Sequence, residues 1–374
     1  MTARDTIRDL RTHRIRAPLH SPFVTALRTT TAVDSLLVEV VDADGWSGWG
    51  EGAPVWRITG DSVEGMRAAL HGPLRAVVVG RDPDDYDAIC ADLARAVVGN
   101  TTAKAAVDVA LHDLAARRRG IPLPALFGSA TLRLPTDVTL AAAPTDQMVE
   151  AAGKRVAEGF GVLKLKVGEG GVDELARLRA IRAAVGPDVL IRLDANQGWT
   201  ARQAVRVIGA MEDAGLDIEL VEQPVPAGDL DGLAWVTDHT RTPILADEAV
   251  WSPRDLLAVV RRRAADMVNP KLAKCGGLRA GRQLLAVAEA AGVGVMLGSM
   301  METHVGVAAT AVLATLAPGP LTHDLDAAWW LVSSPVQGGM TYDGATVVLP
   351  DAPGLGVGGV RPEALVDPAE AVEA

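Results

Sequence analysis

Val162-Leu-Lys-Leu-Lys-Val167 and Val189-Leu-Ile-Arg-Leu-Asp194 are two short apolar runs that carry charged residues at or near their ends. Similar runs follow further along the chain, and segments with helical character separate all of them. The later runs are Ile218-Glu-Leu-Val-Glu222, Ile244-Leu-Ala-Asp247, Met267-Val-Asn-Pro-Lys271 and Gly294-Val-Met-Leu-Gly298. This alternation predicts parallel strands that are joined by helical crossovers.

The spacing of these runs predicts a closed sheet. Lys166, Asp194 and Glu222 follow one another at intervals of 28 residues, and the later run ends follow at intervals of 24 to 27. One strand-loop-helix unit takes roughly this many residues. With further runs near 136–141 and 321–325, the pattern favours an α/β fold of the TIM-type (β/α) barrel class. An open doubly wound sheet is the alternative, but we find no G-x-G-x-x-G turn after its first strand.

The chain on either side of the barrel divides into two further parts. Residues 1–125 are expected to form an α+β capping domain, with a hairpin turn at Asp44-Gly45 and helices near 61–79, 84–97 and 101–119. Residues 126–330 are expected to form the catalytic barrel. Residues 331–374 are expected to be a C-terminal segment that returns to the cap.

Composition restricts the classes of partner and compartment. The 374 residues carry a formal net charge of −11, which argues against nucleic acid and against an anionic membrane as partners. The N-terminus lacks the apolar core of a signal peptide, and no segment meets the requirement for a membrane span. Cys90 and Cys275 are far apart in sequence and are expected to be reduced thiols. A cytoplasmic protein is therefore expected.

Acidic residues close three successive runs, and the C-terminal strand ends of a barrel meet at one pocket. Asp194, Glu222 and Asp247 would repel one another there unless a cation neutralised them. All-oxygen ligation suits one Mg²⁺ per subunit. An isolated acid would more readily be explained by a helix cap or a surface ion pair, but three in register with the repeat favour a metal. Asn196 is expected to orient one of these ligands.

Lysines in the apolar runs indicate general bases. Lys164 and Lys166 form K-x-K and should point to the same face of their strand. Two neighbouring ammonium groups beside a dication are expected to lower each other's pKa, which would supply a neutral amine. Lys271 belongs to a strand well round the barrel. Two bases on opposite sides of one carbon can remove a proton from one face and return it on the other.

Taken together, these motifs resemble the muconate lactonizing enzyme subgroup of the enolase superfamily, and the resemblance runs over nearly the whole chain. The motifs are Leu163-Lys-Leu-Lys-Val-Gly168, Leu193-Asp-Ala-Asn-Gln-Gly-Trp199, Val221-Glu-Gln-Pro224, Ala246-Asp-Glu248 and Asn269-Pro-Lys-Leu-Ala-Lys-Cys-Gly-Gly277. The resemblance implies a modified enolase-like barrel, Asp194, Glu222 and Asp247 as Mg²⁺ ligands, and Lys166 and Lys271 as the base pair. Such sites use a lysine or histidine base with magnesium to stabilise an enediolate. Glu248 and Asn196 are expected to support the ligands, and a homo-oligomer is expected.

A finer resemblance is to the dipeptide epimerases, including the L-Ala-D/L-Glu epimerases. Its motifs are Thr25-Ala-Leu-Arg-Thr29, Ile58-Thr-Gly-Asp61, Gly298-Ser-Met-Met-Glu-Thr303 and His323-Asp-Leu-Asp-Ala327. The resemblance implies a dipeptide substrate whose α-ammonium is bound by Asp324 and Asp326 and whose C-terminal residue is epimerised. The other implied substrate-binding residues are Arg28, Arg57, Thr139, Met300, Glu302 and His304. An acidic substrate side chain would pair with Arg28, Arg57 or His304, whereas the tryptophans at 56, 329 and 330 would favour an apolar or cationic one.

Other reactions of the same subgroup require the same metal and lysines but no ammonium site. A cycloisomerase, an o-succinylbenzoate synthase and an N-acylamino acid racemase therefore remain alternatives to a dipeptide epimerase. A barrel without catalytic activity is a further alternative, and the complete set of lysines and carboxylates argues against it.

Overall fold

The computed structural model describes residues 6–24, 29–168 and 173–366. The N-terminal part of the chain forms a three-stranded antiparallel sheet in the order β1-β2-β3, covered by helices. Its elements are β1 (Ile7–Val24), β2 (Thr29–Asp42), β3 (Ser47–Gly52), α1 (Val63–Ala69), α2 (Arg75–Val78), α3 (Tyr86–Ala96), α4 (Thr101–Arg118) and α5 (Leu123–Leu126). The predicted hairpin turn joins β2 to β3, with Gly45 at φ 88°.

The first predicted helix of the cap is interrupted. A π-helical turn at 70–74 separates α1 from α2, and it contains Pro73. Because proline has no backbone N–H and its ring displaces the preceding turn, the chain does not continue as one regular α-helix.

The sheet of the cap lies directly on α4. A methyl group at Gly50 would lie 2.0 Å from the carbonyl oxygen of Ala106, and one at Gly48 would lie 2.1 Å from that of Ala110. Glycine on the strand and alanine on the helix therefore allow the two backbones to approach closely. This packing explains why α4 is rich in alanine.

The second part of the chain is the barrel, entered through a short strand β4 (Arg133–Pro135). Seven parallel strands follow in the spatial order β11-β10-β9-β8-β7-β6-β5. They are β5 (Val138–Leu140), β6 (Val162–Lys166), β7 (Leu190–Asp194), β8 (Ile218–Glu222), β9 (Ile244–Ala246), β10 (Met267–Val268) and β11 (Gly294–Val295). Parallel bridges from Asp324 to Gly298 and from His323 to Thr136 close the sheet at 323–324. The predicted barrel is confirmed.

Helices surround the strands, as the crossover rule requires. They are α6 (Thr145–Ala157), α7 (Glu174–Val185), α8 (Ala201–Asp213), α9 (Leu230–His239), α10 (Pro253–Arg262), α11 (Leu272–Cys275), α12 (Leu278–Ala291) and α13 (His304–Ala314). None of the helices in the described ranges combines the length and apolar character needed to cross a membrane.

Alternation along the strands directs charge into the barrel. On β6, Leu163 and Leu165 join the large apolar core, while Lys164 contacts carboxylates of neighbouring strands. Beneath the charged groups, Leu220, Leu245 and Met296 form a small apolar cluster of their own. The barrel interior therefore carries a charged layer at the C-terminal end of the strands, and a further buried ion pair between Arg192 and Asp137, at 3.0 Å, lies beside Met296.

The chain after the barrel forms two small antiparallel sheets. Their strands are β12 (Val336–Gly338) with β15 (Val357–Val360), and β13 (Thr341–Asp343) with β14 (Thr346–Val348), which also pairs with β4. Leu365 then bridges to Ile15 of β1, and Leu331 bridges to Leu19. The C-terminal segment therefore contacts the cap.

The close approach of β3 and α4 makes a stability prediction. Gly50→Ala should destabilise the fold by about 3 kcal/mol or more, because the methyl group has no room against the helix backbone. Equilibrium urea unfolding measures this loss. Gly153→Ala in α6 is the control, since nothing lies within 4 Å of its methyl position, and it should be neutral or stabilising. Equal stability of the two variants would contradict the packing described here.

Candidate active site

Lys164 lies at the centre of the charged layer. Its ammonium nitrogen is 2.6 Å from Glu222 Oε2, 2.8 Å from Asp324 Oδ2 and 3.2 Å from Asp194 Oδ2. Strand register explains the meeting, because Asp194 pairs with Glu222 across β7 and β8, and with Lys166 across β6 and β7. The polar ends of neighbouring strands thus converge as their spacing predicts.

Lys166 and Lys271 lie against different carboxylates. Lys166 Nζ donates to Asp194 Oδ2 at 2.6 Å, and Lys271 Nζ donates to Asp247 Oδ2 at 2.7 Å. Lys166 ends β6 and Lys271 follows β10, and three strands separate these two in the sheet. The seven strands and the closing segment at 323–324 give the barrel eight positions. β6 and β10 are four positions apart, so Lys166 and Lys271 lie on opposite walls. Both lysines line the same cavity.

Asp247 is shared with a second lysine. Lys274 is fully buried on α11 and donates to Asp247 Oδ1 at 2.5 Å and to the carbonyl oxygen of Asn269 at 3.0 Å. Asn269 in turn donates from Nδ2 to Glu222 Oε1 at 2.9 Å. These contacts fix the orientation of Asp247 and Glu222.

The acids of this layer do not share one electrostatic environment. Burial alone would raise the pKa of Asp194, but Lys166 and Lys164 outweigh it and hold that pKa below its ordinary value. Lys271 and Lys274 likewise outweigh burial at Asp247 and lower the pKa of that carboxyl group. Glu222 is different, because burial and the charge of Asp194 raise its pKa to about 8.

The charges around the lysines set the direction of their pKa shifts. Burial works to lower the pKa of Lys164, but the charges of Asp324, Glu222 and Asp194 outweigh it and raise the pKa well above its ordinary value. The pKa of Lys271 is also raised, against the effect of burial, chiefly by Asp247. The expectation concerned Lys164 and Lys166 beside a dication. At Lys164 the protein's own charges act in the opposite direction, because the nearest ones are carboxylates.

Buried carboxylate oxygens without hydrogen bonds mark an excess of negative charge. Glu222 Oε2 approaches Lys164 without the geometry of a hydrogen bond, and Glu248 Oε2 accepts no hydrogen bond from the residues that the structure describes. Burial and the charge of Asp247 raise the pKa of Glu248 to about 7. An all-oxygen set with surplus charge fits a hard divalent cation. The oxygens of Asp194, Glu222 and Asp247 are not all within 4.8 Å of one another, and Lys164 lies between the first two.

Another group of potential ligands lies in the cap. Cys90, Asp108 and His112 are buried with their ligand atoms within 4.8 Å of one another. Asp108 Oδ1 already accepts the backbone N–H of Leu278 at 2.6 Å, and the carbonyl oxygen of Asp108 accepts from His112 Nδ1 at 2.7 Å. Asp108 therefore holds the start of α12. Cys90 and Cys275 are free thiols.

The cavity between the two catalytic lysine candidates has a volume of about 90 Å³. The walls come from the strand ends, from the cap and from the loop after β11. Of the residues predicted to act at the site, those that line it are Lys164, Lys166, Lys271, Asn196, Arg57, Thr139, Met300, Asp324 and Asp326. Arg28 lies outside the described residues.

Glu302 and His304 do not line this cavity. Glu302 is buried beside Glu51, and its Oε1 accepts the backbone N–H of Met300 at 3.3 Å. His304 begins α13, and its ring lies 6.3 Å from that of Tyr342. Burial lowers the pKa of His304 to about 4, so the ring is neutral near pH 7. The chain turns into α13 at this point, which carries both side chains away from the cavity that Met300 reaches.

The tryptophans of the sequence do not form the pocket wall. Trp56 is 73% exposed, and Trp329 and Trp330 pack edge to face with ring centroids 5.5 Å apart. Trp330 is buried. The cavity wall near the cap is formed instead by Phe23, Val55 and Ile58.

Comparisons with known proteins agree with this architecture. Residues 7–128 match the model of the mandelate racemase/muconate lactonizing enzyme N-terminal domain, and residues 147–361 match the enolase C-terminal domain-like model. The chain belongs to this family. It is 43% identical to the L-Ala-D/L-Glu epimerase of Bacillus subtilis over 93% of this chain and 95% of the relative.

Solved structures give the same family and the same fold. A substrate-liganded complex of the Bacillus subtilis L-Ala-D/L-Glu epimerase superposes with a TM-score of 0.92 at 43% identity, covering 95% of this chain and 99% of that one. A dipeptide epimerase from Enterococcus faecalis, complexed with Mg and L-Leu-L-Tyr, gives 0.89 at 36% identity, covering 94% and 99%. The resemblance stated from the motifs is confirmed.

Within this family fold, sequence reasoning missed Lys274, Phe23 and Ala327. Lys274 stands three residues after Lys271, and that spacing on a helical turn was the available signal. Phe23 and Ala327 are apolar and reach the cavity only through tertiary packing, so no local pattern marks them.

Glu302 makes a prediction about pH. Burial, together with the charge of Glu51, raises its pKa to about 8, above the ordinary 4.5. The folded chain therefore keeps a proton that the unfolded chain loses, so this contribution to stability falls from about pH 4.5 to pH 8 and then levels off. Glu302→Gln should raise the Tm relative to the unmodified chain, by more at pH 8 than at pH 5. Thermal unfolding across this range measures the difference. Glu289→Gln on the exposed face of α12 should show no such trend.

Proposed function

We propose that this protein is a dipeptide epimerase that inverts the α-carbon of the C-terminal residue, with one Mg²⁺ per subunit. One observation carries the proposal: Lys166 and Lys271 face a common cavity from opposite walls. A substrate carbon between them is within reach of a base on either face. The relatives, named as epimerases and with bound dipeptides, support this class of substrate.

Asp194, Glu222 and Asp247 are the residues that would hold the cation. When bound, Mg²⁺ would neutralise the negative charge that develops on the substrate carboxylate as the proton leaves. It would also compete with the lysines for the same carboxylates, which favours the neutral amine that a base requires. Lys274 and Asn269 hold Asp247 and Glu222 in place for this role.

The lysines carry out the proton transfers. One lysine takes the α-proton from one face, and the protonated amine of the other returns a proton to the opposite face. Phe23, Val55 and Ile58 give the cavity an apolar wall on the side of the cap. Lys164 holds Asp194, Glu222 and Asp324 together as their common cation.

The other end of the substrate is assigned to Asp324 and Asp326. Asp324 is engaged by Lys164, whereas Asp326 lines the cavity without a lysine partner. The α-ammonium of a dipeptide would therefore bind chiefly at Asp326. This feature favours a dipeptide over the substrates of the cycloisomerase, o-succinylbenzoate synthase and N-acylamino acid racemase alternatives, which lack that ammonium.

The first experiment is isotope exchange with the magnesium-loaded enzyme in D₂O and a library of L,L-dipeptides. Deuterium should enter the C-terminal α-carbon of at least one dipeptide together with inversion. Lys166→Ala and Lys271→Ala should each abolish inversion, while either variant retains exchange on the face that its remaining lysine serves. Mass spectrometry and chiral chromatography read out both events. Inversion at the unmodified rate in both variants would refute the two-base assignment, and a library without exchange would refute the dipeptide substrate.

Arg57 indicates the side chain that the substrate carries. It lines the cavity and forms no ion pair with another described residue. A cation at the cavity mouth favours an acidic substrate side chain and disfavours a basic one.

Arg57→Leu should therefore lower kcat/KM for a glutamate-containing dipeptide by about tenfold and leave an apolar dipeptide nearly unchanged, since only the former loses a charge-assisted hydrogen bond. Steady-state kinetics on the pair of substrates measures the ratio. Arg8→Leu, at an exposed position on β1, is the control and should change neither. An equal loss for both substrates in Arg57→Leu would show that Arg57 supports the loop and does not select the side chain.

A further inference from the structure

The two oxygens of Asp326 have different surroundings. Asp326 Oδ2 accepts the backbone N–H of Thr139 at 2.7 Å and the indole N–H of Trp330 at 3.1 Å. No other hydrogen bond to this side chain is formed within the described ranges, and Asp326 lines the cavity. The second oxygen is therefore the one available to a ligand.

Packing fixes the direction of the Trp330 N–H. Trp330 ends the 3₁₀ turn Ala327–Trp330, which begins directly after Asp326. Its ring stacks on His20 at a centroid distance of 5.2 Å, and the edge contact with Phe23 is also 5.2 Å. Trp330 itself is 5% exposed and does not line the cavity, so any effect on a substrate must pass through Asp326.

The charges around Asp326 make these two donors important. Asp324 and Asp137 are both close enough to disfavour a further negative charge, and Lys164 is the cation that acts against them. A buried carboxylate in such surroundings needs hydrogen-bond donors to remain ionised and in one rotamer. The Thr139 donor belongs to the backbone of β5, whereas the Trp330 donor belongs to a side chain that can be substituted.

We propose that Trp330 is a positioning residue for the substrate amine: its indole N–H holds one oxygen of Asp326, so that the other faces the cavity and receives the α-ammonium of a dipeptide. This assignment rests on the proposed function. It adds a residue that touches neither the substrate nor the reacting carbon.

The neighbouring tryptophan provides a matched comparison. Trp329 has the same ring, but it packs against the guanidinium of Arg155 at 4.5 Å and against Phe160 at 5.6 Å. Its backbone N–H donates to the carbonyl oxygen of Asp326 at 2.9 Å, whereas its indole N–H is not among the donors to the Asp326 carboxylate within the described ranges. Trp330→Phe and Trp329→Phe therefore remove the same N–H group from adjacent residues, and only the first removes a donor to Asp326.

The experiment compares two ligands that differ only in the amine. They are an L-alanyl dipeptide that the enzyme turns over and its N-propionyl counterpart, which has the same atoms except the ammonium group. KM and kcat are measured for the dipeptide and a competitive Ki for the N-propionyl compound, with the magnesium-loaded enzyme. Trp330→Phe should raise KM for the dipeptide about tenfold while kcat and the Ki stay within about twofold. Trp329→Phe should change none of the three.

The outcomes separate this proposal from the proposed function. If Trp330→Phe weakens both ligands equally, or changes neither, Trp330 has only a structural role and the inference is overturned while epimerisation stands. If the unmodified enzyme binds both ligands equally, the ammonium site itself is refuted, and the inference with it. If Trp330→Phe does not fold, Trp330→Met replaces it, because the flexible methionine side chain fills a similar space. The dipeptide KM and the Ki of the N-propionyl compound are then interpreted in the same way.

Discussion

The buried ion pairs at the C-terminal end of the barrel strands are the constraint on which the rest of the structure depends. Lys164 is fully buried, and it meets Asp194, Glu222 and Asp324 at once. Moving such charges out of water costs several kcal/mol for each, and only close pairing repays that cost. Removal of one partner would leave the others uncompensated, so strand register, side-chain alternation and closure of the sheet must all be correct together.

Buried carboxylates of the cap also join it to the barrel and to the C-terminal segment. Glu51 accepts the backbone N–H groups of Thr303 and Gly306, at the start of α13. Asp108 accepts that of Leu278 at the start of α12, and Asp113 accepts those of Trp49 and Leu355. An acid at a helix N-terminus interacts favourably with both the free N–H groups and the helix dipole. The cap is thereby held at the loops that carry Met300 and the residues after Lys271.

The sequence predicted the features of the site that follow from periodicity. Asp194, Glu222 and Lys166 end their runs at a repeat that only a parallel crossover topology explains, and they do meet in the structure. The pKa of Lys271 was not predictable in the same way, because it depends on which carboxylate oxygen the ammonium meets. Glu302 has the same limitation, since it is two residues from Met300 in sequence but the start of α13 turns it towards Glu51.

The cavity is lined by two kinds of residue: those at the ends of barrel strands and those on loops and on the cap. The sequence predicted the first kind more completely than the second. Lys166 ends a strand of the closed sheet and Lys271 follows another, so a shift of one residue in either would disrupt the buried ion pairs. Arg57 and Phe23 reach the same cavity from the cap, and Asp326 from the segment after the last bridge. The positions of these loop and cap residues depend on tertiary packing, which produces no regular spacing in the sequence. Loop residues can change with less effect on the fold than residues at strand ends, so this second set is where differences in substrate side chain are expected to arise.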